Sequence, residues 1–153
     1  MDIFSIADKG LVFTSDKDKN ILNKIELHNI YNKVEILKIT DSMVDVKILL
    51  ATTNQTFIPV VNEQANVLGI IYEKELRSIL FSDFKLRNTS IEAEMKPAIT
   101  ASLSENTGNV IKMMDDHHLS EVLLTQNNVL VGYVSKIKIL ETYRENLKNL
   151  RIE

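Results

Sequence analysis

Two short stretches place polar and charged side chains where an apolar, strand-like run gives way to a helical pattern: Tyr72-Glu73-Lys74-Glu75 and Ser135-Lys136-Ile137-Lys138. The first turn of a helix presents N–H groups without intrahelical partners, together with the positive end of the helix dipole. It therefore attracts anions. Lys136 and Lys138 sit unfavourably beside that dipole end, and a bound anion relieves the conflict. Glu73 and Glu75 reverse the sign and repel anions. The plainer alternative is that Ser135 merely caps a helix and Glu75 lies on a solvated face. The remaining polar clusters carry less. His117 and His118 follow Asp115 and Asp116, but adjacent helical residues point apart, so they do not make a joint metal site. Met113 and Met114 read as core. No nucleophile motif or catalytic constellation is present, so the expectation is a protein that is not an enzyme.

Both junctions end the same larger pattern. Phe57 to Val61 is a short β-branched, apolar run, Asn62 to Asn66 is turn-forming, and Val67 to Ile71 is a second apolar run containing Gly69. Such a glycine marks close approach of another backbone. Glu73 to Leu80 then has helical spacing, with Leu76, Ile79 and Leu80 on one face. Two strands joined by so short a turn are antiparallel. The pattern recurs from Ser120 to Tyr143: Val122 to Leu124, the turn Gln126-Asn127-Asn128, Val129 to Val134 with Gly132, then Ile137, Leu140 and Tyr143. The two glycines lie about 63 residues apart. This period is too long for a solenoid and indicates two paired small domains.

Upstream of each copy the order repeats. Val34 to Ile39 and Ala98 to Leu103 read as strands. Ser42, with Thr40 and Asp41, caps a helix bearing Met43, Val46, Leu49 and Leu50, and Ser104 is expected to cap one bearing Val110, Met113 and Met114. Each half is strand, helix, strand, strand, helix, an α/β fold of two pseudo-symmetric β-α-β-β-α units with packed small sheets. Residues 1–20 form a linker containing Gly10-Leu11-Val12-Phe13-Thr14, with Ser15 or Asp16 capping a helix that carries Ile21, Leu22 and Ile25. The first domain covers 21–88 and the second 89–153, with Phe81 to Asn88 connecting them and Ile91 to Met95 a turn or short helix. The last helix keeps a stripe of Leu140, Tyr143, Leu147 and Leu150 and frays at its end.

The composition bounds the function. A net charge of −3 and a pI near 5.7 give no electrostatic footprint for nucleic acid. The absence of cysteine excludes disulfides and thiolate chemistry and suits a cytosolic setting. No run approaches a membrane span, and Met1-Asp2-Ile3-Phe4 is unlike a signal peptide.

The segments Ile58-Pro59-Val60-Val61, Gly69-Ile70-Ile71 and Gly132-Tyr133-Val134-Ser135, each in order before an amphipathic helix, resemble a CBS-domain pair (Bateman module) over about residues 21–147. A narrower likeness lies in the flanks. Gly10 to Thr14, Asp18 to Leu22, Ile79-Leu80-Phe81, Met95-Lys96-Pro97, and Val134-Ser135-Lys136 with Ile139 to Leu147 resemble the cytoplasmic tail of bacterial ClC-type chloride channels and transporters. The likeness implies a regulatory, dimerising tail at the cytoplasmic face of a membrane protein, itself soluble. Its partners would be a second copy and the transmembrane chloride-channel domain of the same parent chain. The alternative is a free-standing adenine-nucleotide sensor.

In CBS domains a glycine, two apolar residues, a Ser or Thr and then an Asp three further on commonly bind ATP, ADP or AMP. The hydroxyl and carboxylate take ribose or phosphate. Each site also draws on the first strand and the proline segment of the other half. The resemblance thus implies one site from Val34, Glu35, Phe57, Ile58, Pro59, Ser135, Lys136 and Lys138. A second, degenerate site would comprise Tyr72, Glu75, Ile99, Thr100, Ser120, Glu121 and Val122. Both depart from the pattern: Tyr72 replaces the hydroxyl residue and Glu75 the Asp in one copy, and Lys138 replaces the Asp in the other. Glu121 stands where Ile58 does, and Val122 replaces the proline.

Overall fold

Apolar β-branched runs and two families of amphipathic helices produce two three-stranded sheets. The computed structural model describes residues 16–152. The apolar piece Gly10 to Thr14 and the first cap candidate, Ser15, lie outside the described residues, while the alternative cap, Asp16, is already helical; of the fraying expected over Leu150 to Glu153, Leu150, Arg151 and Ile152 are still helical and Glu153 lies outside the described residues. In chain order the elements are α1 (Asp16–Lys24), β1 (Leu37–Lys38), α2 (Met43–Leu50), β2 (Phe57–Val61), β3 (Val67–Tyr72), α3 (Arg77–Leu80), α4 (Asp83–Asn88), α5 (Ile91–Glu94), β4 (Thr100–Ser102), α6 (Thr107–His117), β5 (Glu121–Gln126), β6 (Val129–Ser135) and α7 (Lys136–Ile152). Short 3₁₀ turns occupy Leu27–Asn29 and Glu73–Glu75.

One sheet has the order β1-β2-β3 and the other β4-β5-β6. The first strand of each runs parallel to the second, which requires a crossover, supplied by α2 and α6. Leu37 stands opposite Val60, and Thr100 opposite Leu123, so the registers repeat at the spacing of the two glycines. The hairpin of β2 and β3 is antiparallel, with a register shift between Val60 and Val61.

The described residues divide into two compact units. One holds residues 16–32, 100–126 and 131–152, and the other holds 33–99 with 127–130. In the first, Ile21 and Leu22 of α1 and Ile25 just beyond its end are buried with Val110, Ile111 and Met114 of α6, Leu124, Val134, and Ile139, Leu140 and Tyr143 of α7. Buried Thr107 donates its hydroxyl proton to the Ile25 carbonyl (2.5 Å), and the Tyr143 hydroxyl donates to Asp18. In the second, Leu37, Met43, Val46, Ile58, Val60, Ile71, Leu76, Ile79 and Ile91 form the core.

The two strand glycines have the same cause. Residues Met95 and Lys96 cross the face of Gly69, where Ile70 and Lys96 exchange backbone hydrogen bonds of 2.9 and 2.8 Å. A β-carbon on Gly69 would lie 2.3 Å from Met95 Cγ and 2.7 Å from the Lys96 carbonyl oxygen. Asn32 exchanges the same pair of bonds with Tyr133, and a β-carbon on Gly132 would lie 2.2 Å from the Asn32 carbonyl oxygen. The segment leading into each half therefore completes the sheet of the other half. That exchange is why residues 16–32 pack with 100–126 and 131–152.

Several expected elements are shorter or differently capped. The strand expected over Val34–Ile39 is confined to Leu37–Lys38, because the Gln55 side chain takes the Glu35 main chain that a longer strand would need. Ala98–Leu103 likewise shrinks to Thr100–Ser102. Ser42 caps α2 in a reciprocal box with Asp45, as its position predicts. Asn106, rather than Ser104, caps α6, because its amide oxygen reaches the Gly108 and Asn109 N–H groups while Ser104 bonds Ser102. Glu73–Leu80 is broken into a 3₁₀ turn and α3, and Phe81–Asn88 contains α4, capped by Ser82. On α7 the buried residues are Ile139, Leu140 and Tyr143, while Ile137 is 65% exposed and Leu150 49%.

Candidate functional site

In the unit that contains it, β6 ends at Ser135 and α7 begins at Lys136. The Ser135 Oγ accepts the Lys138 N–H at 3.1 Å, the geometry of a helix cap. The Lys136 N–H donates to the Ser120 carbonyl at 2.8 Å. Ser120, expected in the second set, therefore stands beside the first set's Ser135–Lys136 step. The Lys136 side chain turns inward: its Nζ lies 2.5 Å from Asp115 Oδ1, with side-chain exposures of 21% and 10%. Lys138 stays exposed. Of the two cations that suit a phosphate, one is engaged by an internal carboxylate and the other faces solvent.

The other contributors to this set lie in the second unit and are described there. Phe57, Ile58 and Pro59 are buried in β2, Val34 is half-buried and Glu35 exposed. Gln55 ties two of them together: its Oε1 accepts the Glu35 N–H (2.6 Å), and its Nε2 donates to the Glu35 and Phe57 carbonyls (3.2 and 3.0 Å). The degenerate set is divided likewise. In the second unit Tyr72 ends β3 without a side-chain cap to the turn that follows. The Lys74 ammonium stands 5.9 Å from its ring centroid. Glu75 pairs with Lys96 at 3.6 Å on an exposed surface, and Ile99 is half-buried nearby in sequence. In the first unit Thr100 opens β4, opposite Leu123 and next to buried Val122. Glu121 is half-buried at the start of β5, and burial raises its carboxyl above the ordinary 4.5.

Asp115 and Gln55 belong to neither predicted set. Asp115 had a legible signal: it lies four residues after Ile111 and next to Met114, within the apolar stripe of α6, where a carboxylate needs a partner. Gln55 had none, because its role depends on two loops meeting. A cleft of about 400 Å³ opens at the start of α6, lined by residues from Asn23 to His28 and from Leu103 to Thr107. No predicted site residue lines it. On its rim the Asn109 side chain and the Asn106 N–H hold Glu105 below 4.5. Among the described residues no group of three or more acidic or histidine side chains is arranged to hold a metal ion. No described helix is long and apolar enough to cross a membrane.

Two β-α-β-β-α sheets with exchanged lead-in segments and a strand-to-helix junction at the end of each second hairpin strand define the α/β fold of a CBS-domain pair. The family model of the CBS domain matches residues 30–82. Similar solved structures include the CBS domain of a bacterial CNNM/CorC family Mg2+ transporter in complex with ATP (TM-score 0.73, 13% identity, 84% of this chain and 93% of that one). Another is the CBS domain of a CBS-domain-containing membrane protein from Sphaerobacter thermophilus (0.66, 19%, 82% and 92%). A third comprises the CBS domains of a transcriptional regulator from Streptococcus pneumoniae (0.64, 22%, 77% and 98%). No curated protein matches the chain in sequence.

Proposed function

We propose that this chain is a non-enzymatic regulatory CBS pair that modulates a membrane transport protein and responds weakly to an adenine nucleotide at the Ser135 junction. The observation that carries the nucleotide reading is the start of α7. A 17-residue helix opens there with a capping hydroxyl and, three residues on, an exposed Lys138. The transporter reading is supported by two of the similar folds, which come from a Mg2+ transporter and a membrane protein. Within it we favour the cytoplasmic tail of a ClC-type chloride channel or transporter, on the likeness of the flanking segments. A full-length gene without transmembrane helices ahead of this segment would leave the second reading, a free-standing nucleotide sensor.

Association as a homodimer completes the proposal. The face formed by Leu76, Ile79 and Leu80 does not support it, because Leu76 and Ile79 are buried in their own core. Its support is instead the exposed apolar set Val44, Ile48, Phe81 and Phe84, the last two 89% and 76% exposed. Light scattering at high micromolar concentration should show a dimer, and a monomer there counts against it.

Lys138 stands where the family's ribose-binding carboxylate belongs. Losing that interaction, about 1.5–3 kcal/mol, weakens a nucleotide site roughly 10- to 150-fold. ATP, ADP and AMP should therefore bind weakly and less well as salt rises. Lys138→Asp should shift preference toward adenosine. Calorimetry with ATP and adenosine on both proteins tests this. Low-micromolar adenosine binding by the unaltered protein, indifferent to salt, would overturn it.

A further inference from the structure

The corner made by α3 and α4 turns different side chains to the core and to solvent. Inward, Leu76 and Ile79 are buried, and Leu80 and Leu86 pack against the same core. Outward stand Phe81 and Phe84, 89% and 76% exposed. Two neighbouring rings held in water mark a docking surface. The Phe81 N–H donates to the Arg77 carbonyl at 3.3 Å, so Phe81 follows Arg77 on one helical face, and on α4 Phe84 stands one turn before Arg87 and next to Lys85. Arg77, Lys85 and Arg87 are exposed, and none forms an ion pair among the described residues. The only acid between Leu76 and Asn88 is Asp83, so three cations face one carboxylate in a chain whose net charge is −3. Just upstream, Glu73 and Glu75 are balanced by Lys74 and Lys96, the last paired with Glu75 at 3.6 Å.

We propose that this corner docks on an anionic lipid surface, with Phe81 and Phe84 entering the headgroup layer and Arg77, Lys85 and Arg87 meeting lipid phosphates. This rests on the reading of the chain as part of a membrane transport protein, and it leaves Val44 and Ile48 of the exposed apolar set to a second copy. Charge selects the occupant. In a two-fold dimer a patch meets its own copy, so this one would set cations against cations. An anionic bilayer presents the opposite sign, and each Lys or Arg near it adds roughly fivefold in affinity. Aromatic rings beside basic groups seat a protein in the interfacial layer rather than across it. The α2 face has no such bias, because that helix carries one acid, Asp45, and one cation, Lys47.

The chain has no tryptophan, so Phe81→Trp places a single fluorescent reporter on the corner and Val44→Trp one on α2. The probes are vesicles of phosphatidylcholine alone and of phosphatidylcholine mixed with phosphatidylglycerol, added to the full chain. In Phe81→Trp the emission should move to shorter wavelength with the mixed vesicles, while Val44→Trp should not respond. In co-sedimentation the unaltered chain should favour the mixed vesicles by about tenfold or more, and less so as salt rises. Replacing Arg77, Lys85 and Arg87 together by Gln should abolish that preference. Phe81→Ser with Phe84→Ser should weaken binding to the mixed vesicles about tenfold. Equal binding to both vesicles, no response of Phe81→Trp to either, or an equal response from Val44→Trp overturns the docking. Each of these leaves the transporter reading standing, since the full-length gene decides that separately. A shift in Phe81→Trp that follows protein concentration without vesicles gives the corner to a second copy and overturns the docking as well.

Discussion

The two copies of the strand–turn–strand–helix unit agree in their sheets and part company where the helix begins. Their parallel registers match, Leu37 with Val60 and Thr100 with Leu123, and each glycine is covered by the lead-in to the other half. Beyond the sheet, Tyr72 offers no side-chain cap, and the chain makes a 3₁₀ turn before the four-residue α3. Ser135 does cap, and α7 runs straight on for 17 residues. The charges differ as well. Glu75 has an exposed partner in Lys96, whereas Lys136 has a largely buried one in Asp115. Strand pairing and close backbone approach tolerate little variation, so the repeat survives there. A helix start needs only some cap and some charge balance, so the copies diverge there.

The sharpest contrast should come from the two ion pairs. Lys136→Ala strips Asp115 of its partner in a largely buried place and should cost about 3 kcal/mol, whereas Lys96→Ala should cost less than about 1 kcal/mol. Urea unfolding of both variants measures the difference, and equal costs would erase the distinction drawn between the junctions. Next come the glycines. Gly132→Ala drives a methyl against the Asn32 carbonyl oxygen, and Gly69→Ala first meets the flexible Met95 side chain. The expected losses are about 2–3 and about 1–2 kcal/mol respectively.

Tyr143 gives a pH-dependent contrast confined to one unit. Burial, its hydrogen bond to Asp18 and that carboxylate's charge raise the phenol above the ordinary 10.0. The folded state holds the proton more tightly, so this stabilisation is complete below pH 10 and is lost as pH rises beyond it. Tyr143→Phe should flatten the alkaline fall in stability, at a cost near neutrality of about 1 kcal/mol for the lost hydrogen bond. The smallest effect concerns the turns. Asn127 and Asn128 both take left-handed angles, which asparagine tolerates, but in the first copy that conformation falls on Ala65 (φ 61°). Ala65→Gly should stabilise by about 0.5–1 kcal/mol, seen as a higher urea midpoint with unchanged slope.

Much of the fold and part of the candidate site were legible from residue order alone. Short apolar runs and turn residues located both hairpins, Ser42 announced its helix, and Gly69 announced a close backbone approach without naming what approaches. The helix boundaries were less legible. Ser104 and Asn106 are both good caps in sequence, and only the turn geometry made Asn106 the one that reaches the α6 N–H groups. At the site, the Ser135 cap was readable from the strand-to-helix transition, but the fate of the two lysines was not.

By itself the sequence determined the tandem repeat and the strand–helix order, because each depends on residue type and spacing along the chain. The tertiary structure decided which segments close each sheet. Met95–Lys96 and Tyr31–Asn32 reach across to the glycine of the other half, and α1 is buried with α6 and α7. It also decided that Lys136 is spent on Asp115 while Lys138 stays exposed. These outcomes depend on residues far apart in the chain meeting at a few ångströms. Local propensity and periodicity hold no information on such distances until the core has packed.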